Sequence, residues 1–195
     1  MVKVFTGIRR CGKSVLLQLV QAELIRQGVD PNRILALNFE SAADNRIRST
    51  ASVLEAVHER RQLCGPGRLY LFFDEIQELS GWETLVNALL VDTDADIYIT
   101  GSNARMLSGE LATYLAGRYV EIRVYPFSFA EVLTLLSQSG VEIRPEEAFK
   151  LYLRRGGFPF LYNYPFSDAD ANQYLSDIFD STVLKDIAKR HDVRD

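Results

Sequence analysis

The sequence predicts an α/β protein in which a five-stranded parallel sheet is followed by a small all-helical region. Apolar runs of strand length alternate with helical patterns as far as Pro126, and this alternation is typical of parallel strands joined by helical crossovers. Beyond Pro126 only helical patterns follow. A glycine-rich loop between the first strand and the first helix is the third observation, and it also bears on function.

The glycine-rich loop follows a short β-prone run, Val2–Phe5, and matches G-x-x-x-x-G-K-[ST]. In this motif the glycines let the backbone N–H groups point inward, where they surround the phosphates of a nucleotide. We expect Lys13 to carry its charge to the β- and γ-phosphates and Ser14 to place its hydroxyl on Mg²⁺. The predicted nucleotide-binding residues are Gly7, Ile8, Arg9, Arg10, Cys11, Gly12, Lys13, Ser14 and Val15.

The remaining elements of the sheet region follow from periodicity and from turn residues. An apolar stripe from Leu16 to Ile25 predicts the first helix, and Gly28 ends it. Ser80 and Glu83 have the spacing of a capping box and predict a helix as far as Val91. The other predicted strands are Arg33–Ser41, Arg68–Asp74, Ile97–Thr100 and Tyr119–Tyr125, and the other predicted helices are Ser49–Leu63 and Ser108–Leu115.

A domain boundary is expected near Pro126, which divides the chain into a core of residues 1–126 and a helical lid of residues 127–195. In the second part, Ser128 and Glu131 form a capping box for a helix that ends at Gly140. Pro145 and Ser167 begin two further helices. Since the chain enters a strand at once and stops within a charged helical stretch, we expect it to be part of a longer protein.

Two acidic residues lie at the end of the third predicted strand and directly after it. They supply the groups that a phosphate loop needs for Mg²⁺ binding and for attack by water. A phosphate loop needs a second source of carboxylate for Mg²⁺, and Asp74 lies where the end of a parallel strand would supply it. Glu75 follows directly, and we expect it to orient and polarise the water that attacks the γ-phosphate. Because a phosphate-transferring kinase must exclude water, this pair of acids favours hydrolysis.

Polar residues near the fourth and fifth strands are further candidates, each with a plain structural alternative. Ser102 or Asn103 would bond the γ-phosphate if the fourth strand lies between the first and the third, or would simply form a polar turn. Arg118 would reach a phosphate in a neighbouring subunit, or would be a solvated arginine. Arg154 and Arg155 would contact nucleotide or lie on a solvated helix face, and Asn38 would contact Glu75.

Composition narrows the class of protein. A formal net charge of −4 argues against a domain that coats DNA nonspecifically. The two cysteines form no paired motif, which favours a reduced, cytoplasmic setting without a metal-ligand cluster. We find no apolar run of membrane-spanning length in the sequence.

Four stretches of the chain resemble a known family: GIRRCGKSVLL, LYLFFDEIQELSGWE, ITGSNARMLSGELATYLAGRYVEIRVYPFSFAEVL and YLRRGGFP. They resemble the AAA+-like P-loop ATPases of archaea and bacteria, in the subgroup whose ATPase domain precedes a C-terminal domain of uncharacterised function. The resemblance implies a three-layer P-loop NTPase sandwich whose sensor strand lies between the first and third strands. It also implies a Walker A motif at Gly7–Ser14, a Walker B motif at Asp74 and Glu75, a sensor at Ser102 or Asn103 and an arginine finger at Arg118.

The predicted function is therefore Mg²⁺-dependent ATP hydrolysis coupled to conformational change, in a protein that associates with copies of itself through Arg118. The preference for ATP comes from the resemblance and not from the loop residues. Two alternatives stay open: a non-catalytic switch or scaffold module that responds to ATP and ADP, and a kinase of a small molecule. Whether the hydrolysis acts on nucleic acid or on a protein client is open as well.

Overall fold

The five strands of the structure form one parallel sheet. The structure is a computed structural model, and it describes residues 1–41, 47–102, 115 and 117–182. The strands pair in the order β2-β3-β4-β1-β5, so β4 lies between β1 and β3, as the resemblance implies. Their bounds are Val2–Gly7 (β1), Ile34–Asn38 (β2), Leu69–Asp74 (β3), Ala95–Ser102 (β4) and Tyr119–Arg123 (β5).

Helices follow most of the strands and continue after the last one. The described helices are Lys13–Arg26 (α1), Thr50–Cys64 (α2), Trp82–Asp92 (α3), Phe129–Gln138 (α4), Pro145–Arg155 (α5), Phe160–Asn163 (α6) and Asp168–Thr182 (α7). Two short 3₁₀ turns, Pro31–Arg33 and Ile76–Glu78, lie in the sheet region. Within the described residues, we find no helix with the length and apolar character needed to cross a bilayer.

Helices cover the sheet on both faces, which gives the three layers that the sequence predicts. On one face, the strands pack with buried residues of α2 and α3 such as Val57 and Leu85. On the other face, Phe5, Phe72 and Tyr98 pack with Leu17 of α1. The inner strand β3 is buried on both sides because its apolar run is almost continuous. The predicted α/β class and the five-stranded parallel sheet are confirmed.

The chain divides into two compact units. The sheet unit contains Met1–Gly7 and Lys13–Val124, and the helical unit contains Ile8–Gly12 and Tyr125–Asp195. The helical unit has a small core of its own, with Val132, Leu136 and Ala148 at its centre. Ring contacts among α6, α7 and the segment between them join Phe160, Tyr164, Phe166 and Tyr174.

One predicted capping box is present and the other is wrong. At the start of α4 the Ser128 N–H donates to Glu131 Oε2 at 2.7 Å, and this bond lowers the pKa of Glu131. In α3, however, the N-cap residue is Gly81 in the left-handed conformation (φ 77°). The helix thus begins one residue later than predicted, and Glu83 lies one position too early to close a box with Ser80.

Other expectations are corrected in detail. The predicted apolar stripe of the first helix is narrower than expected, because Leu19 and Ile25 are exposed. The second strand ends at Asn38, three residues before its predicted end, and it forms an edge of the sheet. The short helix α6 was not predicted. The predicted helix Ser108–Leu115 lies outside the described residues except for Leu115, which is buried.

Candidate functional site

The glycine-rich loop leaves the end of β1 and leads into α1. Its backbone turns through positive φ at Gly7 (156°), Arg10 (64°) and Gly12 (105°). Among the described residues, Arg10 and Glu75 are the two non-glycine residues with positive φ. Because the left-handed conformation costs such residues about 1–2 kcal/mol, its presence at two candidate site residues marks local strain.

Lys13 is the first residue of α1, and its side chain is only 4% exposed. Its Nζ donates to the carbonyl oxygen of Gly7 at 3.1 Å and lies 3.9 Å from Glu75 Oε1. A buried ammonium needs such partners, since the loss of hydration is otherwise uncompensated. Thus the loop lysine and the second acid of the Asp-Glu pair lie together within the sheet unit.

Asp74 ends β3 and is held by side chains from both neighbouring strands. The side-chain N–H of Asn38, at the end of β2, donates to Asp74 Oδ2 at 3.0 Å. The hydroxyl of Thr100, on β4, donates to Asp74 Oδ1. Asn38 was expected near Glu75, and the structure pairs it with the preceding carboxylate. Because each oxygen of Asp74 accepts one bond, the carboxylate has a fixed orientation and one further acceptor position on each oxygen.

Glu75 follows β3 in the left-handed conformation (φ 51°, ψ 48°) and is 9% exposed. Its backbone N–H donates to Thr100 Oγ1 at 2.9 Å, so one buried hydroxyl joins both acidic residues. Gln77 Nε2 donates to Glu75 Oε2 at 2.5 Å. Sequence reasoning missed Thr100 and Gln77. The available signals were a polar residue in the apolar run of β4 and an amide two residues after Glu75.

A cavity of about 190 Å³ opens beside Asp74 and Asn38. Its lining combines residues of α1, β2 and β3: Ser14, Leu17, Gln18, Gln21, Ala36, Leu37, Asn38, Phe72 and Asp74. A larger cavity of about 900 Å³ lies in the helical unit between α4 and α5. We assign the candidate site to the smaller one, because ligands of parallel α/β sheets bind at the carboxyl ends of the strands.

The groups at the smaller cavity fit a magnesium ion. Mg²⁺ is usually held by one or two carboxylates together with waters and substrate phosphates, rather than by a full set of protein ligands. Asp74 is a carboxylate whose oxygens are each oriented by a neutral donor, and such bonds are typical of metal-ligating carboxylates. Ser14 lines the same cavity. Together, one carboxylate and one hydroxyl match this donor chemistry.

The predicted sensor residues are described only in part. The backbone of Ser102 lies in β4 and pairs in register with Gly7, so it belongs to the same edge of the sheet as the loop. Asn103 lies outside the described residues. The expectation that the fourth strand places this segment beside the first strand is met by the register of β4.

Arg118 lies at the opposite end of the sheet. Its carbonyl oxygen accepts a bond from the N–H of Val2 at 2.9 Å, at the start of β1, whereas the phosphate loop begins at Gly7. Five residue steps of strand separate these two positions, which is about 17 Å at ~3.3 Å per residue. This distance exceeds the reach of an arginine side chain. The structure therefore does not bring Arg118 together with Lys13, Asp74 and Glu75 of the same chain.

The middle of the loop belongs to the helical unit. The guanidinium of Arg10 lies 5.0 Å from the ring centre of Tyr174 on α7, a cation–π contact. Cys11 is buried, Arg9 is half-buried and Ile8 is 40% exposed. Val15 on α1, in the sheet unit, is 57% exposed.

Arg154 and Arg155 bind parts of the helical unit itself. Arg155 donates to the carbonyl oxygens of Leu161 and Phe166, and Arg154 forms an ion pair with Asp168 at 3.3 Å. These contacts join α5 to α6 and to the start of α7. They agree with a structural role better than with nucleotide binding.

A family model described as an AAA domain matches residues 1–133, which is more than half of the chain. The chain belongs to the AAA domain family. The matched part includes the glycine-rich loop, the Asp74–Glu75 pair and Arg118, whereas α5, α6 and α7 lie beyond it. The family supports a nucleotide-binding, ATPase-like domain.

Relatives of this AAA domain occur in bacteria and archaea. An uncharacterized protein of Haemophilus influenzae is 42% identical over 196 residues, which cover 100% of this chain and 48% of the relative. Uncharacterized protein MJ1544 of Methanocaldococcus jannaschii is 29% identical over 203 residues, covering 99% of this chain and 43% of the relative. The chain thus spans about half the length of the curated relatives that it matches.

Two solved structures share the fold. The Walker-type ATPase PABY2304 of Pyrococcus abyssi superposes with a TM-score of 0.58 at 16% identity, covering 97% of this chain and 71% of that one. AMPPCP-bound DnaA from Aquifex aeolicus superposes with a TM-score of 0.57 at 17% identity, covering 83% of this chain and 52% of that one. At such identities the likeness shows the fold, which is that of P-loop ATPases.

Proposed function

We propose that this AAA domain binds ATP with Mg²⁺ and hydrolyses it, and that hydrolysis drives a conformational change. Lys13 and the amides of the loop bind the phosphates, and Ser14 and Asp74 hold Mg²⁺, which neutralises charge on the phosphates when it is bound. Glu75 accepts a proton from water as the water oxygen bonds to the γ-phosphorus. The bond from that phosphorus to the bridging oxygen then breaks, releasing ADP and phosphate.

The observation that carries the proposal is the arrangement of three charged groups at the carboxyl ends of the strands. Lys13 Nζ lies 3.9 Å from Glu75 Oε1, and Glu75 directly follows the carboxylate that Asn38 and Thr100 orient. All three charged side chains are buried, and burying charges is costly. Their arrangement therefore supports a chemical function more than a structural one. Ser102 and Asn103 remain our candidates for the residues that contact the γ-phosphate.

Arg118 enters this proposal as a residue that acts on a neighbouring copy. Since Arg118 is exposed at the end of the sheet opposite to Gly7, it can stabilise transition-state charge only in another subunit. The domain would then work as a homo-oligomer with shared sites. In that case, specific activity should rise with protein concentration in the parent and stay low and flat in Arg118→Ala.

We further propose that residues 1–126 form the ATPase core and that residues 127–195 form a lid, followed in the longer protein by a C-terminal region. The coverage of the relatives supports the second part of this proposal, since about half of their length lies outside the matched region. We place the domain in the cytoplasm on the basis of its two free cysteines.

The experiment compares Mg-ATP turnover and nucleotide affinity in three proteins. Glu75→Gln keeps the shape of the side chain and removes the base, so we expect turnover to fall about 10²–10⁴-fold while ATP stays bound. Glu59→Gln is the matched control, since Glu59 is an exposed glutamate on α2. It should hydrolyse ATP at the parental rate. Hydrolysis by Glu75→Gln at the rate of the parent would refute the assignment.

The second candidate is a switch that binds ATP and ADP but does not hydrolyse ATP. The contact of Arg10 with Tyr174 favours this candidate. If phosphate binding changes the conformation of the loop, this contact would change the position of α7 within the same unit. Tight ATP binding by the parent with negligible release of phosphate, at high protein concentration and in the full-length protein, would favour the switch. Phosphate found on an acceptor molecule would instead indicate a kinase.

A further inference from the structure

A rigid turn follows Glu75 directly and fixes the position of Gln77. The 3₁₀ turn Ile76–Glu78 is closed by backbone bonds from Glu78 N to Glu75 O (3.1 Å) and from Leu79 N to Ile76 O (2.9 Å). Ile76 and Leu79 on either side are buried in the core of the sheet unit. The backbone of Gln77 is therefore held two residues from the proposed base.

The carboxylate of Glu75 is contacted at both of its oxygens. Oε2 accepts a bond from Gln77 Nε2 at 2.5 Å, and Oε1 lies 3.9 Å from Lys13 Nζ. A carboxylate only accepts hydrogen bonds, so the nitrogen of the Gln77 amide is the end that faces it. Lys13 is expected to bind phosphate in the loaded site, whereas the contact with Gln77 lies within one turn of the chain and does not depend on nucleotide.

The other end of the Gln77 amide meets no donor among the described residues. Gln77 Oε1 is buried, and no hydrogen-bond donor reaches it from the described part of the chain. Native structures leave few buried polar atoms unpaired, because an acceptor removed from water without a donor destabilises the fold. An apolar side chain of similar length would avoid this cost. Folding stability alone therefore does not account for a glutamine at this position.

We infer that Gln77 is a positioning residue for Glu75: its N–H holds Oε2, so that Oε1 is the oxygen that takes the proton of the attacking water. This inference rests on the proposed hydrolysis of ATP. Without the bond, the carboxylate would rotate away from the productive geometry, and small losses of alignment at a general base are costly for the rate. Gln77 acts only through Glu75 and does not touch the nucleotide.

The test replaces Gln77 by methionine, which keeps the length of the side chain and removes both the donor and the unpaired acceptor. We expect kcat to fall roughly 10- to 100-fold with KM nearly unchanged. The Kd of a non-hydrolysable ATP analogue should stay within about twofold, and the thermal midpoint should stay equal or rise. Gln27→Met is the matched control, because Gln27, just after the end of α1, also donates through Nε2 to an exposed glutamate, Glu23, at 2.7 Å. That variant should keep parental kcat.

A double-mutant cycle separates positioning from other roles. If Gln77 acts through Glu75, then Gln77→Met should change the residual rate of a Glu75→Gln protein by less than about twofold. A parental kcat in Gln77→Met, with Glu75→Gln inactive, would overturn the inference and leave the proposed function standing. Parental turnover in Glu75→Gln would overturn both. If the methionine variant does not fold, Gln77→Leu, which also removes the donor and adds no charge beside Glu75, is judged by the same criteria.

Discussion

The side-chain cluster around Asp74 in the sheet unit and the one around Arg155 in the helical unit both use partly or fully buried polar side chains, but they pair them with different groups. In the sheet unit, Asn38, Asp74 and Thr100 come from three neighbouring strands, and their side chains bond one another. In the helical unit, Arg155 and Tyr162 donate to backbone carbonyl oxygens, those of Leu161, Phe166 and Gly156. The first kind of contact orients an acidic group, and the second kind holds the path of the chain.

This difference indicates where chemistry can occur. A carboxylate fixed by neutral donors stays ready to bind a cation or a proton, whereas guanidinium nitrogens that donate to carbonyl oxygens serve the fold. We therefore expect substitutions at the groups around Asp74 in the sheet unit to change turnover more than stability. In the helical unit we expect the reverse.

The largest effect should come from Lys13→Ala in the sheet unit. Removal of the buried ammonium beside Glu75 should lower turnover about 10²–10³-fold, or about 3–4 kcal/mol, and weaken ATP binding. Lys3→Ala is the control, since Lys3 forms an ion pair with Asp96 in the same unit. Titration with a fluorescent ATP analogue should show parental affinity for Lys3→Ala. Equal losses in both variants would contradict a specific role for Lys13.

Next in size is Gly157→Ala in the helical unit. An added Cβ would lie 2.0 Å from the carbonyl oxygen of Phe127, and the two residues are tied by a bond from Phe127 N to Gly157 O at 2.7 Å. We expect a loss of about 3 kcal/mol in the free energy of unfolding in urea. Gly156→Ala meets no atom within 4 Å but has φ +67°, so we expect a loss of only about 1–2 kcal/mol. Losses of equal size would mean that the contact with Phe127 relaxes.

Thr100→Val should affect both stability and turnover. It keeps the shape of the side chain but removes the hydroxyl that serves Asp74 and Glu75, which should cost about 1–3 kcal/mol of stability and roughly 10- to 100-fold in turnover. Thr6→Val is a matched control, because the buried Thr6 hydroxyl donates to Glu121 Oε1 at 2.6 Å. It should lose stability but keep turnover. A loss of turnover in Thr6→Val as large as in Thr100→Val would contradict a specific role of the Thr100 hydroxyl in turnover.

Tyr162→Phe should give the smallest effect, and one that depends on pH. Burial raises the pKa of Tyr162 from 10.0 to about 12, and its hydroxyl donates to Gly156 O at 2.6 Å. Because the folded pKa is raised, the stability from the neutral hydroxyl is complete below pH 10.0 and is lost as the pH rises towards about 12.

Phenylalanine cannot ionise, so the variant should be about 1 kcal/mol less stable than the parent at about pH 8. This gap should close by about pH 11 to 12, because only the parent loses stability over that range. Urea unfolding of both proteins at the two pH values measures the difference. Stability curves that stay parallel would show that Tyr162 does not titrate with folding.

Much of the candidate site could be predicted because its residues are neighbours in the chain. Lys13 and Ser14 follow from the loop motif, and Asp74 and Glu75 follow from the end of an apolar strand. Thr100 stands out as a polar residue in the apolar run of β4, but its contact with Asp74 could not be predicted, since it depends on strand pairing across 26 positions. Gln77 could not be predicted either, because its contact follows from the left-handed backbone of Glu75.

The fold was predicted well where a continuous apolar run defines an element. It was predicted less well where the backbone conformation of single residues sets the end of an element. The buried strand β3 has an almost continuous apolar run, and its predicted end is correct. The start of α3 depends on the conformation of Gly81, which the spacing of Ser80 and Glu83 does not reveal. Likewise, the sequence places Arg118 just before a strand, but the parallel register of β5 with β1 shows which end of the sheet it occupies.

The central claim is that water, activated by Glu75, attacks the γ-phosphate of ATP at the sheet unit. The most direct test incubates the parent and Glu75→Gln with Mg-ATP in isotopically labelled water and follows the label by mass spectrometry. We predict that the parent releases inorganic phosphate containing one oxygen from water, and that Glu75→Gln binds ATP but releases almost none. Parental release of labelled phosphate by Glu75→Gln, or ATP bound by the parent without any labelled phosphate, would contradict the account.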